Sequence, residues 1–275
     1  MNRLVQIIAA VAALGAARAA VAQGVVYGGS STIAETVLQG GGAAKTFESR
    51  SGVKFTIADT SGTGKGLKAL ADGKINLVGS GRTLAAEERK AGLLGAIIGY
   101  DGLAVYVNRN NPVKALTRAQ LKDLFIGRVK SWKELGGRDV PVAPIIEPVA
   151  SKRATVQLFQ EQVLDGASFK PGIREMEQLG EQLAEVAASE GAVCVASIGF
   201  MASAPAGVKG ALKPLAIDGI EPGDANIQSG AYLLSRPVLL VTKGLPQGDV
   251  KKFIDFVRSR DGQQIVEKFF VPVKR

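Results

Sequence analysis

The sequence predicts an α/β fold made of two lobes. Short β-type runs alternate with helical stripes from residue 24 onward, which is typical of an α/β fold with a largely parallel sheet. No Pro/Gly/Ser-rich linker divides the chain, as expected when two lobes share strands that cross between them. Three successive strand-type runs end in loops rich in Gly, Ser and Thr. These loops predict a ligand site at the carboxyl ends of the strands.

The hydrophobic pattern places the elements in order. The expected strands are 24–27, 53–58, 75–78, 103–108, 140–146, 192–196 and 238–242. A capping box of Thr117 and Gln120 opens a helix that runs to Phe125. Two apolar stripes at helical spacing predict further helices, one of Met176, Leu179, Leu183, Val186 and Ala187 and one of Val250, Phe253, Ile254 and Val257.

The first residues have the pattern of an export signal. Arg3 precedes an apolar run over 4–14, and Ala20-Val21-Ala22 fits the signal-peptidase rule, so we expect residues 1–22 to be removed before Gln23. A membrane anchor is the weaker alternative, because the run is shorter than the roughly 20 residues of a membrane span. Since no cysteine ends this leader, we expect a periplasmic protein without a lipid anchor.

Composition excludes several classes of chemistry. The chain has one cysteine, Cys194, and no histidine, so a disulfide within the chain, a Ser-His-Asp triad and a His/Cys zinc site are all excluded. We expect a buried, unreactive thiol at Cys194, and a binding protein with neither cofactor nor metal rather than an enzyme. The formal charge is +9, or +7 without Arg3 and Arg18 of the leader. The dispersed basic residues indicate a solvated basic surface or an electrostatic field that attracts small anions. They do not favour nucleic acid as a binding partner.

The three loops cover residues 28–32, 60–66 and 79–82. A strand, a Gly/Ser loop and a helix N-terminus together form an anion site, although one such loop alone is more often a capped turn. The second loop fails the nucleotide P-loop pattern, because Asp59 replaces its first Gly and Gly66 replaces the Ser or Thr after Lys65. Taken together, the loops favour a site for a small oxyanion.

From Val26 to the C-terminus the chain resembles the periplasmic phosphate-binding proteins of ABC transporters. The motifs that carry this resemblance are YDGLAVYVN at 100–108, NPV at 111–113, LT at 116–117 with FIG at 125–127, SWKELGG at 131–137, SIGF at 197–200, LSRP at 234–237, FIDFV at 253–257 with GQ at 262–263, and FVPV at 270–273. Their order and spacing across nearly the whole chain are specific to that family.

The resemblance implies a type II periplasmic-binding-protein fold with crossover hinge strands. One lobe would hold 23–103 and 232–275, and the other 104–231. It also implies a monomer that delivers phosphate to an ABC permease in the inner membrane. Ligands would come from Ser31, Thr32 and Ile33 in the first loop, Thr63 in the second, and Ser80 and Arg82 in the third.

Two departures from the family pattern concern these ligands. Gly81 stands where the family has an Asp that accepts the phosphate proton, and Val149 stands where it has a ligand Arg. Ser151, Lys152, Arg153 and Thr155 could supply cations and hydroxyls at the following helix N-terminus. The alternative is that the half of the site in the second lobe has been lost.

Several alternatives stay open at the level of sequence. The cargo could be an organic acid, a phosphonate or a phosphate ester, or the chain could be a ligandless signalling protein. We expect Trp132 to be a packing residue. Asp101 and Arg236, near the expected crossings, support the hinge or the site, or form a surface ion pair.

Overall fold

The computed structural model describes residues 24–151 and 153–273. The expected signal peptide (1–22), its cleavage before Gln23 and the candidate Lys152 therefore lie outside the described residues. Within those ranges, no helix combines the length and the apolar character that crossing a membrane would require.

The elements alternate as the sequence pattern predicts. The strands are β1 (Val25–Gly29), β2 (Phe55–Ile57), β3 (Leu77–Ser80), β4 (Leu93–Asn108), β5 (Ala115–Leu116), β6 (Ala143–Ile146), β7 (Arg174–Glu175), β8 (Ala192–Ser197), β9 (Leu212–Ile217), β10 (Ser235–Lys243) and β11 (Val271–Pro272). The helices are α1 (Ser31–Ile33, continued by the π-helix Ala34–Gly40), α2 (Ala43–Ser51), α3 (Thr63–Ala71), α4 (Ala86–Lys90), α5 (Arg118–Phe125), α6 (Ala154–Phe159, continued by the π-helix Gln160–Leu164), α7 (Leu179–Ala188), α8 (Ile198–Ser203), α9 (Ala206–Ala211), α10 (Asp224–Ser229), α11 (Gly248–Arg258) and α12 (Arg260–Val266).

The sheet is mixed rather than largely parallel. β2, β1 and β3 are parallel neighbours, and so are β8, β6 and β7. Between these two groups, β10 runs antiparallel to both β3 and β4, and β4 runs antiparallel to β8. The expectation of a largely parallel sheet is thus correct only for the two outer groups, because the central strands run against them.

β4 connects the two groups of strands. Its first part, to Gly102, pairs with β10, and its second part, from Leu103, pairs with β8 and β9. The run predicted from the sequence, 103–108, covers only the second part, which is buried on both faces. Glycines at 95, 99 and 102 and exposed positions weaken the pattern of the first part. The short strands β5, β7 and β11, and β9 as well, were not predicted.

The predicted helices form, but Met176, predicted as the first residue of one stripe, precedes α7, because its amide bonds the Ile146 carbonyl just after β7. Thr117 caps α5 by accepting a hydrogen bond from the Gln120 amide (3.1 Å), and the Gln120 side chain accepts one from the Thr117 amide (2.8 Å). The predicted stripe of α11 is buried, and Phe253 lies 5.1 Å from Phe47 between ring centres. These contacts place α11 against β1 and α2 in the core that supports the first loop.

Two single residues have the packing roles predicted for them. Trp132 is 1% exposed, and its indole N–H donates to the Gly191 carbonyl at 3.0 Å. Cys194 lies in the core of β8, where burial raises the pKa of its thiol to about 12. A thiol with such a pKa stays protonated and unreactive near neutral pH.

Candidate functional site

The three Gly/Ser/Thr loops lie side by side at one edge of the sheet. The Gly62 amide donates to the Gly29 carbonyl (2.9 Å), and the Ser30 amide donates to the Gly79 carbonyl (2.9 Å). The Gly81 amide donates to Thr63 Oγ1 at 3.2 Å. They meet because β1 lies between β2 and β3 in parallel register, so that all three strands end at the same edge.

The first loop presents the N-terminus of α1. Ser30 is the N-cap, and its hydroxyl accepts from the Ile33 amide at 3.3 Å. The amides of Ser31 and Thr32 begin the helix and so have no carbonyl within it to bond. Of the three candidates predicted here, Ser31 and Thr32 have amides that the cap does not use, whereas the Ile33 amide donates to the Ser30 hydroxyl.

The second and third loops are linked through Thr63, which opens α3. Gly62, its N-cap, has a φ of +106°, a value that favours glycine. Thr63 is 1% exposed and accepts from the third loop, so its hydroxyl hydrogen remains available for a ligand. Ser80 is fully buried, and its hydroxyl donates to the Arg82 carbonyl at 2.8 Å. The structure thus turns the Ser80 hydroxyl back into its own loop.

The N-terminus of α6 lies across from these loops. Arg153 is its N-cap residue, and Arg153 Nη1 donates to Ser31 Oγ at 3.2 Å. Thr155, in the first turn, is buried. A side chain at Gly62 would lie 3.2 Å from Arg153 Cγ, which shows how closely the two sides approach. The structure therefore brings Arg153 and Thr155 together with the first-lobe loops.

Two predicted ligands have other partners. The Ser151 hydroxyl donates to the Pro148 carbonyl at 2.5 Å within the preceding turn. Arg82 forms a two-point ion pair with Glu88, at 2.8 and 2.7 Å, and its Nε donates to Gln157 Oε1 at 3.1 Å. The Arg82 charge is therefore paired with Glu88. Arg82 contacts α6 through its hydrogen bond to Gln157.

Arg236 brings a guanidinium to the cleft, which agrees with the expectation that it supports the site, although it was not among the predicted ligands. Arg236 Nε and Nη2 donate to Asp101 Oδ2 at 3.0 and 2.8 Å, and the side chains are 4% and 1% exposed. The interpretation of these two residues as a surface ion pair is therefore wrong. The third nitrogen, Nη1, donates to Thr155 Oγ1 at 3.3 Å and lies beside Gly81. The signal that could have identified Arg236 was its position in the LSRP motif, directly at a strand crossing.

Glu147, which directly follows β6, was not predicted from the sequence. Glu147 is 2% exposed, and its Oε1 accepts from Arg153 Nη1 at 3.2 Å. A charged residue directly after a buried strand was the available signal, because the loops of the first lobe were located by the same strand-end position. Burial raises the pKa of Glu147, and the nearby Arg153, Thr155 and Arg236 offset this shift in part.

A cavity of about 440 Å³ adjoins Arg236 on one side of the cleft. Its lining residues are Arg82, Thr83, Ala85, Gln157, Leu158, Glu161, Gln162, Ser235, Arg236 and Pro237. Across the described parts of the chain, we find no group of three or more His, Cys, Asp or Glu that could hold a metal ion. The donors at the cleft are instead hydroxyls, amides and guanidinium groups, which suit an oxyanion.

Comparisons with known proteins support the same conclusion. The family model described as the PBP superfamily domain matches residues 14–261. The chain is 29% identical to phosphate-binding protein PstS of Bacillus subtilis over 219 residues, which is 77% of this chain and 69% of the relative. It is 27% identical over 249 residues to protein SphX of Synechococcus elongatus, covering 84% of this chain and 72% of the relative.

Solved structures show the same fold. The structure of a phosphate ABC transporter substrate-binding protein from Clostridium perfringens with bound phosphate superimposes with a TM-score of 0.79 at 29% identity, covering 91% of this chain and 100% of that one. An ABC-type phosphate transport receptor from Vibrio cholerae matches with a TM-score of 0.75 at 23% identity, covering 90% of this chain and 100% of that one, which supports the fold alone. These relatives carry the names of binding proteins, in agreement with the prediction of a receptor rather than an enzyme. The chain has the type II periplasmic-binding-protein fold, resembles phosphate-binding proteins as its motifs indicate, and belongs to the PBP superfamily.

Proposed function

We propose that this protein is an extracytoplasmic receptor that captures phosphate between two lobes and delivers it to an ABC permease in the inner membrane. The lobes would be residues 23–103 with 232–275, and 104–231, joined by β4 and by the second passage of the chain between them at 231–232. In this proposal the exported chain acts as a periplasmic monomer, without a lipid anchor, after cleavage before Gln23. It binds and releases the anion chemically unchanged.

The observation that carries this proposal is the position of Arg236 Nη1. This nitrogen is buried, bonds Thr155 of α6, and lies beside the third loop at Gly81. It therefore supplies a guanidinium donor at the point where α6 meets the hydroxyl-bearing loops. Guanidinium N–H groups and hydroxyls in a site of low dielectric bind a tetrahedral oxyanion strongly. Arg236 is thus in a position to supply a guanidinium donor where Val149 supplies none, although its charge is shared with Asp101.

Calorimetric and thermal-shift titrations of ligand-stripped protein with inorganic phosphate test this function. At 100 times its dissociation constant, phosphate should stabilise the folded state by about 2.7 kcal/mol. Arg236→Lys keeps a charge but loses the planar donor pair, so we expect it to weaken phosphate binding by about tenfold or more. Arg174→Lys is the matched control, because Arg174 forms an exposed pair with Glu185. The proposal fails if wild-type protein binds no phosphate, or if both variants bind as wild type does.

The cavity beside Arg236 favours one second candidate, a phosphate ester or phosphonate. Its volume of about 440 Å³ greatly exceeds the volume that one water molecule occupies in the liquid, about 30 Å³. A substituent on the anion could therefore extend between Pro237 and Gln157 while the phosphoryl group remains at Arg236. Titration with glycerol phosphate and methylphosphonate separates the two candidates. Tighter binding of either compound than of inorganic phosphate would favour the second one.

A further inference from the structure

Tyr27 is a buried tyrosine of β1 whose hydroxyl reaches the first loop. Its side chain is 0% exposed, and the hydroxyl donates to the Ser30 carbonyl at 2.8 Å. Burial, and to a smaller extent the charge of Asp59, raises the pKa of Tyr27 well above its ordinary value. The phenol therefore stays protonated near neutral pH, and its one hydrogen goes to the Ser30 carbonyl.

The Ser30 carbonyl is satisfied without this hydrogen bond. It also accepts from the Ala34 amide at 3.1 Å, as the first carbonyl of α1. The phenol takes space from the third loop, because a Cβ at Gly79 would overlap the Tyr27 hydroxyl and lie 2.7 Å from the ring carbon that carries it. Phe55 stacks on the same ring, at 6.4 Å between ring centres. Packing thus holds the hydroxyl at a carbonyl that already has a partner.

The Ser30 carbonyl belongs to the same peptide group as the Ser31 amide. A trans peptide group is planar, and its C=O and N–H point in opposite directions. The hydrogen bonds from Ala34 and Tyr27 to the carbonyl therefore fix the direction of the Ser31 N–H. This N–H begins α1 and has no carbonyl within the helix to bond. The Ser31 hydroxyl accepts from Arg153 of α6, so Ser31 lies where the two sides of the cleft meet.

A hydrogen bond to a carbonyl also affects the amide of the same peptide group. When the oxygen accepts a hydrogen bond, electron density moves toward it, and the N–H becomes a stronger donor. Chains of hydrogen bonds inside proteins strengthen each member by roughly 10–30%. The chain here would run from the Tyr27 hydroxyl, through the peptide group of Ser30 and Ser31, to the anion.

We propose that Tyr27 is a positioning residue of the anion site, which orients and polarises the Ser31 amide for phosphate. This inference rests on the proposed function. An oxyanion gains most from donors that are aligned before it binds, because no free energy is then needed to reorient them. A phenylalanine at position 27 would fill the same core space but leave this peptide group held by Ala34 alone.

Tyr27→Phe tests this role, because it removes only the hydroxyl group. We expect calorimetry to show phosphate binding weakened by about fivefold to tenfold. The melting temperature of the ligand-free protein should fall by about 2–4 °C.

Thr36→Val is the matched control. The buried Thr36 hydroxyl donates to the Thr32 carbonyl at 2.6 Å, one turn further along the same helical segment. That carbonyl shares a peptide group with the Ile33 amide, which donates to the Ser30 cap. The control should lose similar stability, but its phosphate affinity should change by less than about twofold.

Nuclear magnetic resonance separates positioning of the amide from support of the fold. Saturating phosphate should move the Ser31 amide proton of the wild type downfield, and this displacement should be smaller in Tyr27→Phe but unchanged in Thr36→Val. A tyrosine that only stabilised the core would leave the displacement as in the wild type. The Tyr27 hydroxyl proton gives a reading that requires no variant to fold. Phosphate at the Ser31 amide should move this buried proton downfield as well, because the bonds of the chain strengthen one another.

The outcomes separate the two proposals. If wild-type protein binds phosphate but Tyr27→Phe keeps either the affinity or the Ser31 displacement of the wild type, the inference is overturned and the proposed function stands. The same holds if phosphate leaves both the Ser31 amide proton and the Tyr27 hydroxyl proton unmoved. If wild-type protein binds no phosphate, both proposals are overturned. Weaker binding with a smaller Ser31 displacement in Tyr27→Phe, and neither change in Thr36→Val, supports the inference.

Discussion

Arg236 Nη1 lies at the edge of the space that a side chain at position 81 would need. A Cβ built on Gly81 would be 3.1 Å from this nitrogen and 3.3 Å from the guanidinium carbon. Asp101 holds the same guanidinium through two hydrogen bonds, so it cannot move away freely. The glycine at 81 and the buried arginine at 236 therefore depend on each other. The absence of a side chain at 81 leaves room in the cleft for the guanidinium of Arg236.

The first prediction follows from this contact. Gly81→Ala should displace Arg236 Nη1 from Thr155, weaken phosphate binding by about tenfold and destabilise the fold by about 1–3 kcal/mol. Gly180→Ala is the control, since no neighbour lies within 4 Å of a Cβ on this exposed helical glycine. That change should leave binding unaltered and stabilise α7 by up to about 1 kcal/mol. Calorimetry and urea unfolding measure both effects, and equal binding by the two variants would contradict the prediction.

Asp101→Asn should destabilise the protein strongly. The change leaves the buried Arg236 without its charge partner, and breaking a buried pair in this way costs about 3–5 kcal/mol. Urea unfolding measures the loss. The exposed pair of Lys251 and Asp255 provides the comparison, because Asp255→Asn should cost no more than about 1 kcal/mol. Similar losses in the two variants would mean that Asp101 and Arg236 do not act as a buried pair.

Arg82 should act through Gln157 rather than through direct contact with the anion. We expect Arg82→Met and Gln157→Leu each to weaken phosphate binding by less than about fivefold, since each removes one contact between the third loop and α6. The double variant should bind no more weakly than either single one, because the same hydrogen bond is already broken. Calorimetric affinities of the four proteins form the cycle. Additive losses would show instead that Arg82 binds the anion directly, as the sequence predicted.

The stability of the ligand-free protein should depend on pH through Glu147. Burial raises the pKa of Glu147 above its ordinary value, so the folded state holds the proton more tightly than the unfolded state does. This contribution is present in full below the unfolded pKa and is lost as the pH rises through the raised folded pKa. The free energy of unfolding of wild type relative to Glu147→Gln should therefore fall between about pH 4 and pH 8. A constant difference across that range, measured by urea unfolding, would contradict the shift.

The sequence by itself determined the alternation of strands and helices and the meeting of the three loops. Each of these depends on local chemistry. The Thr117 and Gln120 capping box, the apolar stripe ending at Val257 and the Gly62–Thr63 helix start are defined by neighbours within a few residues. Once β1 lies between β2 and β3, the loops that follow these strands must share one edge. The family motifs added the expected cargo, and comparison with relatives agrees with them.

Only the tertiary structure decided which charged groups face the cleft. Arg236 and Asp101 are 135 residues apart, and Arg236 and Thr155 are 81 apart, so no local pattern links them. Arg82 matched a ligand motif, yet Glu88 takes its charge because α4 places this carboxylate within 2.7 Å. Glu147 and Arg236 reach the cleft only because β6 ends and β10 begins beside it. Periodicity and motif spacing define elements and edges, whereas the burial and pairing of a charge depend on every chain segment that packs around it.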